Sequence, residues 1–133
     1  MKHFKFYSKE DILSLTRVRR FETKLGERLQ YLKADGEWPE VLQQSSAKYV
    51  LLGIPEDFGV KANYGVGGTD TAWLSFLSSF LNIQSNDYLT GENILLLGHF
   101  DFGDIKFLIE NNAYNPEEKI NAYRHALNII DEE

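Results

Sequence analysis

Two carboxylates and four glycines offer the first chemistry in this sequence. Glu56-Asp57 follows the apolar run Tyr49–Ile54, and Gly59, Gly65, Gly67 and Gly68 come next. A carboxylate at a strand end can act as a general base or orient one. A glycine-rich loop ahead of a helix can cradle phosphate on its backbone amides. Neither pattern is complete. No Gly-Lys-Ser/Thr follows, so the loop is not a P-loop, and Gly65-Val66-Gly67-Gly68-Thr69-Asp70 lacks the third glycine of the dinucleotide fingerprint. The simpler expectation is that the glycines permit a tight loop and the acidic pair bonds its amides.

A second group is His99-Phe100-Asp101 with Asp104 three residues on. An imidazole and a carboxylate two apart share one side of an extended segment, a partial metal site. The only other histidines are His3 and His125, and no second pair stands at ligand spacing. The expected roles are therefore structural, with the aspartates capping the next helical turn. Ser45-Ser46 and Ser78-Ser79 lack a nucleophile-elbow context. The absence of cysteine removes a thiolate nucleophile, a disulfide framework and a Cys-type zinc site.

These residues sit in a 133-residue chain, 43% hydrophobic and 26% charged, the composition of one folded domain rather than a disordered tail. No apolar run is long enough to span a bilayer, and the amino terminus has no apolar signal region. The expectation is a cytoplasmic protein that binds neither membrane nor nucleic acid. Charge is unevenly spread. Residues 1–33 carry nine Lys/Arg against four Asp/Glu, whereas residues 34–133 carry five against sixteen. An acidic body disfavours sequence-independent contact with phosphate backbones.

Ser8 with Asp11 forms a capping pattern. Val18, Phe21, Leu25, Leu29 and Leu32 recur at helical spacing beside Arg17, Arg20, Lys24 and Arg28. Together these predict a long helix with an apolar stripe and a basic stripe, weakened at Gly26 and ended by Asp35-Gly36. Trp38-Pro39 begins a short helix through Gln44. Tyr49–Ile54 and Ile94–Leu97 read as strands buried on both faces. Ala72, Trp73, Phe76, Leu77, Phe80 and Leu81 predict a helix capped by Thr69 or Asp70, and Asn86–Asn93 a polar turn. One or two helical turns are expected over Ile105–Glu110. Asn115-Pro116-Glu117-Glu118 opens a last helix. Its acidic finish at Asp131-Glu132-Glu133 and the small number of strands lead us to expect the opening of a larger α/β domain.

Gly53-Ile54-Pro55-Glu56-Asp57-Phe58-Gly59, followed by Asn63-Tyr64-Gly65-Val66-Gly67-Gly68-Thr69, resembles the first strand and loop of the ureohydrolase superfamily of arginases, agmatinases and formimidoylglutamases. Leu97–Asp104 is similar to the family's Asp-x-Gly-Asp segment, and Arg19–Glu27 to the extension of formimidoylglutamase-type members. The chain departs from many members, which carry an arginine and a Gly-Pro pair where Asn63 and Gly68-Thr69 stand here. The resemblance implies the amino-terminal part of a three-layer α/β/α arginase-like fold with a mostly parallel sheet. Residues 1–47 would be a helical extension, and residues 48–133 the first strands and helices of an incomplete domain.

The implied full-length activity is hydrolysis of a C–N bond in a formimidoyl or guanidino substrate, as in histidine degradation, by two manganese ions. The family's Gly-Gly-x-His, Asp-x-His-x-Asp and Ser-x-Asp-x-Asp motifs do not occur in this chain. No catalytic or metal-binding residue is assigned here, and this chain alone is expected to be inactive and to bind no cofactor. Asp57, Asn63 and Tyr64 are the residues the resemblance suggests for the substrate loop. The implied partners are a small amidine or guanidine, the remainder of the same polypeptide and further copies in a homo-oligomer. The alternative expectation is a non-catalytic α/β module that uses its basic stripe to meet an acidic partner.

Overall fold

The computed structural model describes residues 2–32, 38–43 and 45–133. It is a mixed α/β chain built on a three-stranded open sheet. The strands are β1 (Phe4–Phe6), β2 (Tyr49–Gly53) and β3 (Ile94–Phe100), in the order β1-β3-β2. β2 and β3 run parallel from Tyr49↔Ile94 to Gly53↔His99. The register slips between Leu51 and Leu52, so Leu97 is the extra residue of a bulge on β3. On the other edge Asp101 donates to the His3 carbonyl and Tyr7 to that of Leu97. One segment advances as its partner retreats, which makes that pairing antiparallel.

The helices are α1 (Lys9–Ser14), α2 (Leu25–Arg28), α3 (Trp38–Gln43), α4 (Phe58–Ala62), α5 (Ala72–Phe80), α6 (Gly103–Glu110) and α7 (Pro116–Glu132). Two predicted caps form as expected. Ser8 and Asp11 exchange side-chain and backbone hydrogen bonds at 2.8 and 3.2 Å, as do Asn115 and Glu118 at 2.9 Å each way. A 3-10 turn, Thr69–Thr71, precedes α5, with Gly68 rather than Thr69 or Asp70 at the turn's cap position.

The chain forms two compact units, each with its own core. The sheet unit comprises 5–53 and 73–99. Ile12, Leu29, Leu77, Leu81, Ile94 and Leu96 form its core. The loop unit comprises 1–4, 54–72 and 100–133. There α4 packs on α7, and Phe58, Ala62, Phe102, Ile109, Tyr123 and Ala126 form the core.

Three expectations are corrected. The long amino-terminal helix does not form. α1 stops at Ser14, and Asn82 completes the ending by donating to the Leu15 carbonyl at 2.9 Å and accepting from the Arg17 amide at 2.7 Å. Val18 and Phe21 are exposed, Phe21 at 91% with φ 68°, so neither a continuous apolar stripe nor a continuous basic stripe exists. Gly26 does not break a helix; its bare Cα lets α2 pack directly against Thr16.

The second correction concerns β2. It is a strand but not a buried one, because it closes the sheet's edge and leaves Tyr49 at 65% and Leu52 at 43% exposure. Third, β1 and α4 are elements the apolar periodicity does not predict. Three and five residues are too few to establish a period. α3 agrees with the expected short helix as far as Gln43, while Gln44 and the Asp35-Gly36 stop lie outside the described residues.

Candidate functional site

The loop that follows β2 is organised by carboxylates. Glu56 Oε2 accepts the Phe58 amide at 2.6 Å and the Gly59 amide at 3.3 Å, so it secures the first turn of α4. Asp57 is 2% exposed and points back across the loop. Its Oδ2 accepts the Gly68 amide at 3.0 Å and lies 3.1 Å from Lys61 Nζ and 3.6 Å from Lys106 Nζ. A Cβ on Gly67 would overlap that carboxylate, so this glycine serves close approach rather than a phosphate. Asp57 Oδ1 is buried without a hydrogen-bond partner among the described residues.

The two lysines join a wider network. Lys61 reaches Glu110 at 2.9 Å and Lys106 reaches Asp70 at 2.6 Å. Burial works to lower the Lys61 pKa, but the hydrogen bonds to Glu110 and Asp57 outweigh it and hold the ammonium above the ordinary lysine range. The hydrogen bond to Asp70 raises Lys106, and the same bond holds the Asp70 carboxyl below the ordinary aspartate value. The network is a clamp: it ties the loop's start, the 3-10 turn, α4 and α6 together.

Asn63 and Tyr64 occupy the carboxyl end of α4. Tyr64 donates its amide to the Lys61 carbonyl at 3.2 Å and Gly65 donates to the Val60 carbonyl at 2.8 Å, the paired bonds of a Schellman motif. Asn63 Nδ2 donates to the Gly59 carbonyl at 3.1 Å, adding a further terminal bond. The left-handed position of this motif usually carries glycine, yet here it is Tyr64, φ 63°, with its side chain 77% exposed.

Beside Tyr64 lies an open groove of about 320 Å³ lined by Pro116, Glu117, Ile120, Asn121 and Arg124 of α7. The three residues the resemblance suggested therefore separate. Asp57 lies buried inside the clamp, while Asn63, which closes a helix, and Tyr64 are both exposed, and Tyr64 borders the groove. Lys61 and Lys106, the partners of Asp57, were absent from the sequence reading, although Lys61 stands at the helical i+4 spacing from it.

The His99 group does not gather into a metal centre. Asp101 Oδ1 accepts the Gly103 amide at 2.9 Å, a side-chain turn just ahead of α6, whose cap position is Phe102 rather than Asp101. Asp104 Oδ2 lies 3.6 Å from His3 Nε2, while His3 Nδ1 is 3.1 Å from Glu133 Oε1. In the sheet unit the His99 ring lies 5.3 Å from that of Tyr7. Among the described residues no group of three His, Asp or Glu side chains is placed to hold a metal ion. No helix among them is long and apolar enough to cross a membrane.

A scan of protein-family models, a search of curated proteins and a search of solved structures each returned no match to this chain.

Proposed function

We propose that this chain is the amino-terminal portion of a formimidoylglutamase-like ureohydrolase, an enzyme hydrolysing a C–N bond in a formimidoyl or guanidino substrate. In this reading residues 48–133 open a three-layer α/β/α domain whose sheet is mostly parallel, and residues 1–47 extend it. The observation that carries the reading is the parallel β2–β3 pair, joined by a crossover whose first part is the clamped loop. Ligands of open α/β folds bind beyond the carboxyl ends of parallel strands, which makes this loop a substrate rim. Asp57 would act as a positioning residue, since its bond to the Gly68 amide and its lysine contacts fix the loop's path. Manganese belongs to the complete enzyme in this reading, and its ligands are not residues of this chain.

The test is turnover by the whole polypeptide that carries this sequence, assayed with manganese for glutamate release from formimidoylglutamate and for urea release from arginine and agmatine. Turnover of one substrate, together with none by residues 1–133 alone, is the expected result. No turnover by the whole polypeptide, or full turnover by the isolated chain, overturns the reading.

One observation favours the alternative, a non-catalytic interaction module. Arg17, Arg19 and Arg20 stand with the exposed Phe21 on a turn held by an Arg19↔Glu22 bridge, and Arg20 lies over the Phe21 ring at 4.8 Å. A small cationic-aromatic surface of this kind suits an acidic peptide. Reversing Arg17 and Arg20 to glutamate should abolish capture of such a peptide if the module reading holds and leave turnover by the whole polypeptide unchanged if the enzyme reading does.

A further inference from the structure

We propose that His3 is the latch of a proton-sensitive clasp, closed while its imidazole carries both protons and opened when it loses one. The inference is independent of the hydrolase reading. His3 belongs to the loop unit, its side chain is 7% exposed, and it stands between two carboxylates. Nδ1 is 3.1 Å from Glu133 Oε1 at the end of α7. Nε2 is 3.6 Å from Asp104 Oδ2 in the first turn of α6, an ion-pair distance and too long for a hydrogen bond. The other Glu133 oxygen accepts the Lys2 amide at 2.9 Å, and the His3 carbonyl accepts the Asp101 amide at 2.8 Å. The Phe102 ring lies 5.4 Å from the imidazole. One residue thus joins the start of the chain to α6, to α7 and to the turn after β3.

The surroundings select the charged ring. An ionised carboxylate only accepts, so each ring nitrogen has to donate to meet its partner, and a neutral imidazole has a single N–H. With that proton on Nδ1, the Nε2 lone pair faces Asp104; with it on Nε2, the Nδ1 lone pair faces Glu133 at 3.1 Å. Only the imidazolium serves both. Among the described residues neither Asp104 nor Glu133 has a lysine or arginine partner, so the ring is their shared cation. The other ionisable groups nearby do not compete for it. Asp101 spends an oxygen on the Gly103 amide, and Asp131, Glu132 and His125 of α7 are exposed. Burial works to raise the Glu133 carboxyl, but hydrogen bonds from His3 and Lys2 outweigh it and hold it below its ordinary 4.5. The contribution of that carboxylate is complete above 4.5 and is lost as pH falls through the folded value. The contribution of a cation held by two carboxylates has the opposite sign: it is complete in acid and lost as pH rises through the ring's titration. The clasp is closed between these two limits.

The test follows the Asp101 amide, which donates to the His3 carbonyl, by hydrogen exchange in the ¹⁵N-labelled chain from about pH 5 to about pH 9. Corrected for the intrinsic rate, its protection should fall about tenfold as the ring loses a proton. Imidazole ¹⁵N shifts should show both His3 nitrogens protonated wherever the amide stays protected, with the loss of one proton coinciding with the fall. The Leu96 amide, which donates to the Gln30 carbonyl at 3.0 Å in the sheet unit, should keep its protection throughout. His3→Gln retains a donor for Glu133 but cannot titrate, so its Asp101 protection should be flat over the same range. Asp104→Asn, at an exposed position, removes only the charge facing Nε2 and should make the fall smaller. A fall that survives His3→Gln would overturn the inference. So would a ring that loses its proton with Asp101 still protected, or protection lost at Leu96 in step with Asp101, which would report global unfolding. Exchange does not depend on turnover, so the hydrolase reading stands or falls separately.

Discussion

Tyr-Val-Leu-Leu-Gly of β2 and Ile-Leu-Leu-Leu-Gly, the first five residues of β3, are close to the same sequence, yet they live in opposite surroundings. The four apolar residues of the β3 segment are buried, and only Gly53 of β2 is. Composition does not separate them. Position does, because β3 has neighbours on both edges and β2 on one. The loops that follow differ in the complementary way. The exposed strand is followed by the more elaborate loop, with a buried aspartate, its i+4 partner Lys61 and a short helix. The buried strand is followed by a simple aspartate turn at Asp101. An apolar run in a sequence thus announces a strand, while burial is decided by what lies beside it.

The sharpest way to break this comparison is to truncate one leucine in each strand, Leu96 at the centre and Leu52 at the edge. Leu96 is fully buried in the sheet unit's core, and Leu96→Ala should cost about 2–5 kcal/mol through lost transfer energy and the cavity left behind. Leu52→Ala on the exposed strand should cost less than about 1 kcal/mol. Chemical denaturation of both variants measures the difference. Equal losses would mean that β2 is covered in solution, by another copy or another chain, and the contrast between the strands would then belong to the isolated chain only.

The next effect in size concerns the loops. Asp57→Ala removes the acceptor of the Gly68 amide and one partner of both lysines, with an expected cost of about 2–3 kcal/mol. The lysines keep Glu110 and Asp70, which holds the cost below that of a fully stranded buried charge. Asp57→Asn, which can still accept from Gly68, should cost less. Asp101→Ala, which removes the single side-chain bond at the turn after β3, should cost about 1 kcal/mol. Hydrogen exchange at the Gly68 amide gives a local readout, accelerated in Asp57→Ala and unchanged in Asp101→Ala.

Smaller again is a pH effect at the clamp. The hydrogen bond from Lys106 holds the folded Asp70 carboxyl below the ordinary value of 3.8, against a lesser opposing contribution from burial. A depressed folded pKa means that the stabilisation is complete above the unfolded value. It is lost as pH falls below 3.8 and through the folded pKa. Asp70→Asn should therefore lower stability by about 1 kcal/mol near neutral pH. The gap in melting temperature from the parent should close in acid. A gap that stays constant to pH 3 would show that Asp70 acts through shape rather than charge.

Helix starts were the most legible part of the sequence, because Ser8 and Asn115 each act on an amide three residues away. The break after Ser14 was not legible, since the side chain that completes it, Asn82, lies far along the chain. The burial of β2 was misread for the same reason: edge or centre is a property of the whole sheet. In the candidate site the acidic pair and the glycines stood out as loop organisers, whereas Lys106 and Arg124 belong to helices whose other faces carry the obvious apolar pattern. Local spacing reveals what a residue does to its neighbours in sequence and stays silent about partners brought by the fold.

The smallest expected effect has the opposite sign. Positive φ in the β3 region falls on glycines, Gly91 at 92° and Gly98 at 151°, while the loop after β2 places Tyr64 at 63°. Glycine adopts that conformation without a Cβ penalty, and its greater freedom in the unfolded chain offsets part of the relief. Tyr64→Gly should therefore stabilise the chain by up to about 1 kcal/mol, although it removes a large side chain. Thermal melts of Tyr64→Gly and Tyr64→Ala separate the causes. Glycine should raise the melting temperature and alanine should leave it near the parent's, because alanine keeps the Cβ. Equal rises in both would place the cost in the exposed ring, and a fall with glycine would show that the ring packs on α7 strongly enough to stabilise the fold. The expected pattern, stability gained on Tyr64→Gly but not on Tyr64→Ala, would show that the left-handed backbone carries the cost and that Tyr64 is not held there for the stability of the fold.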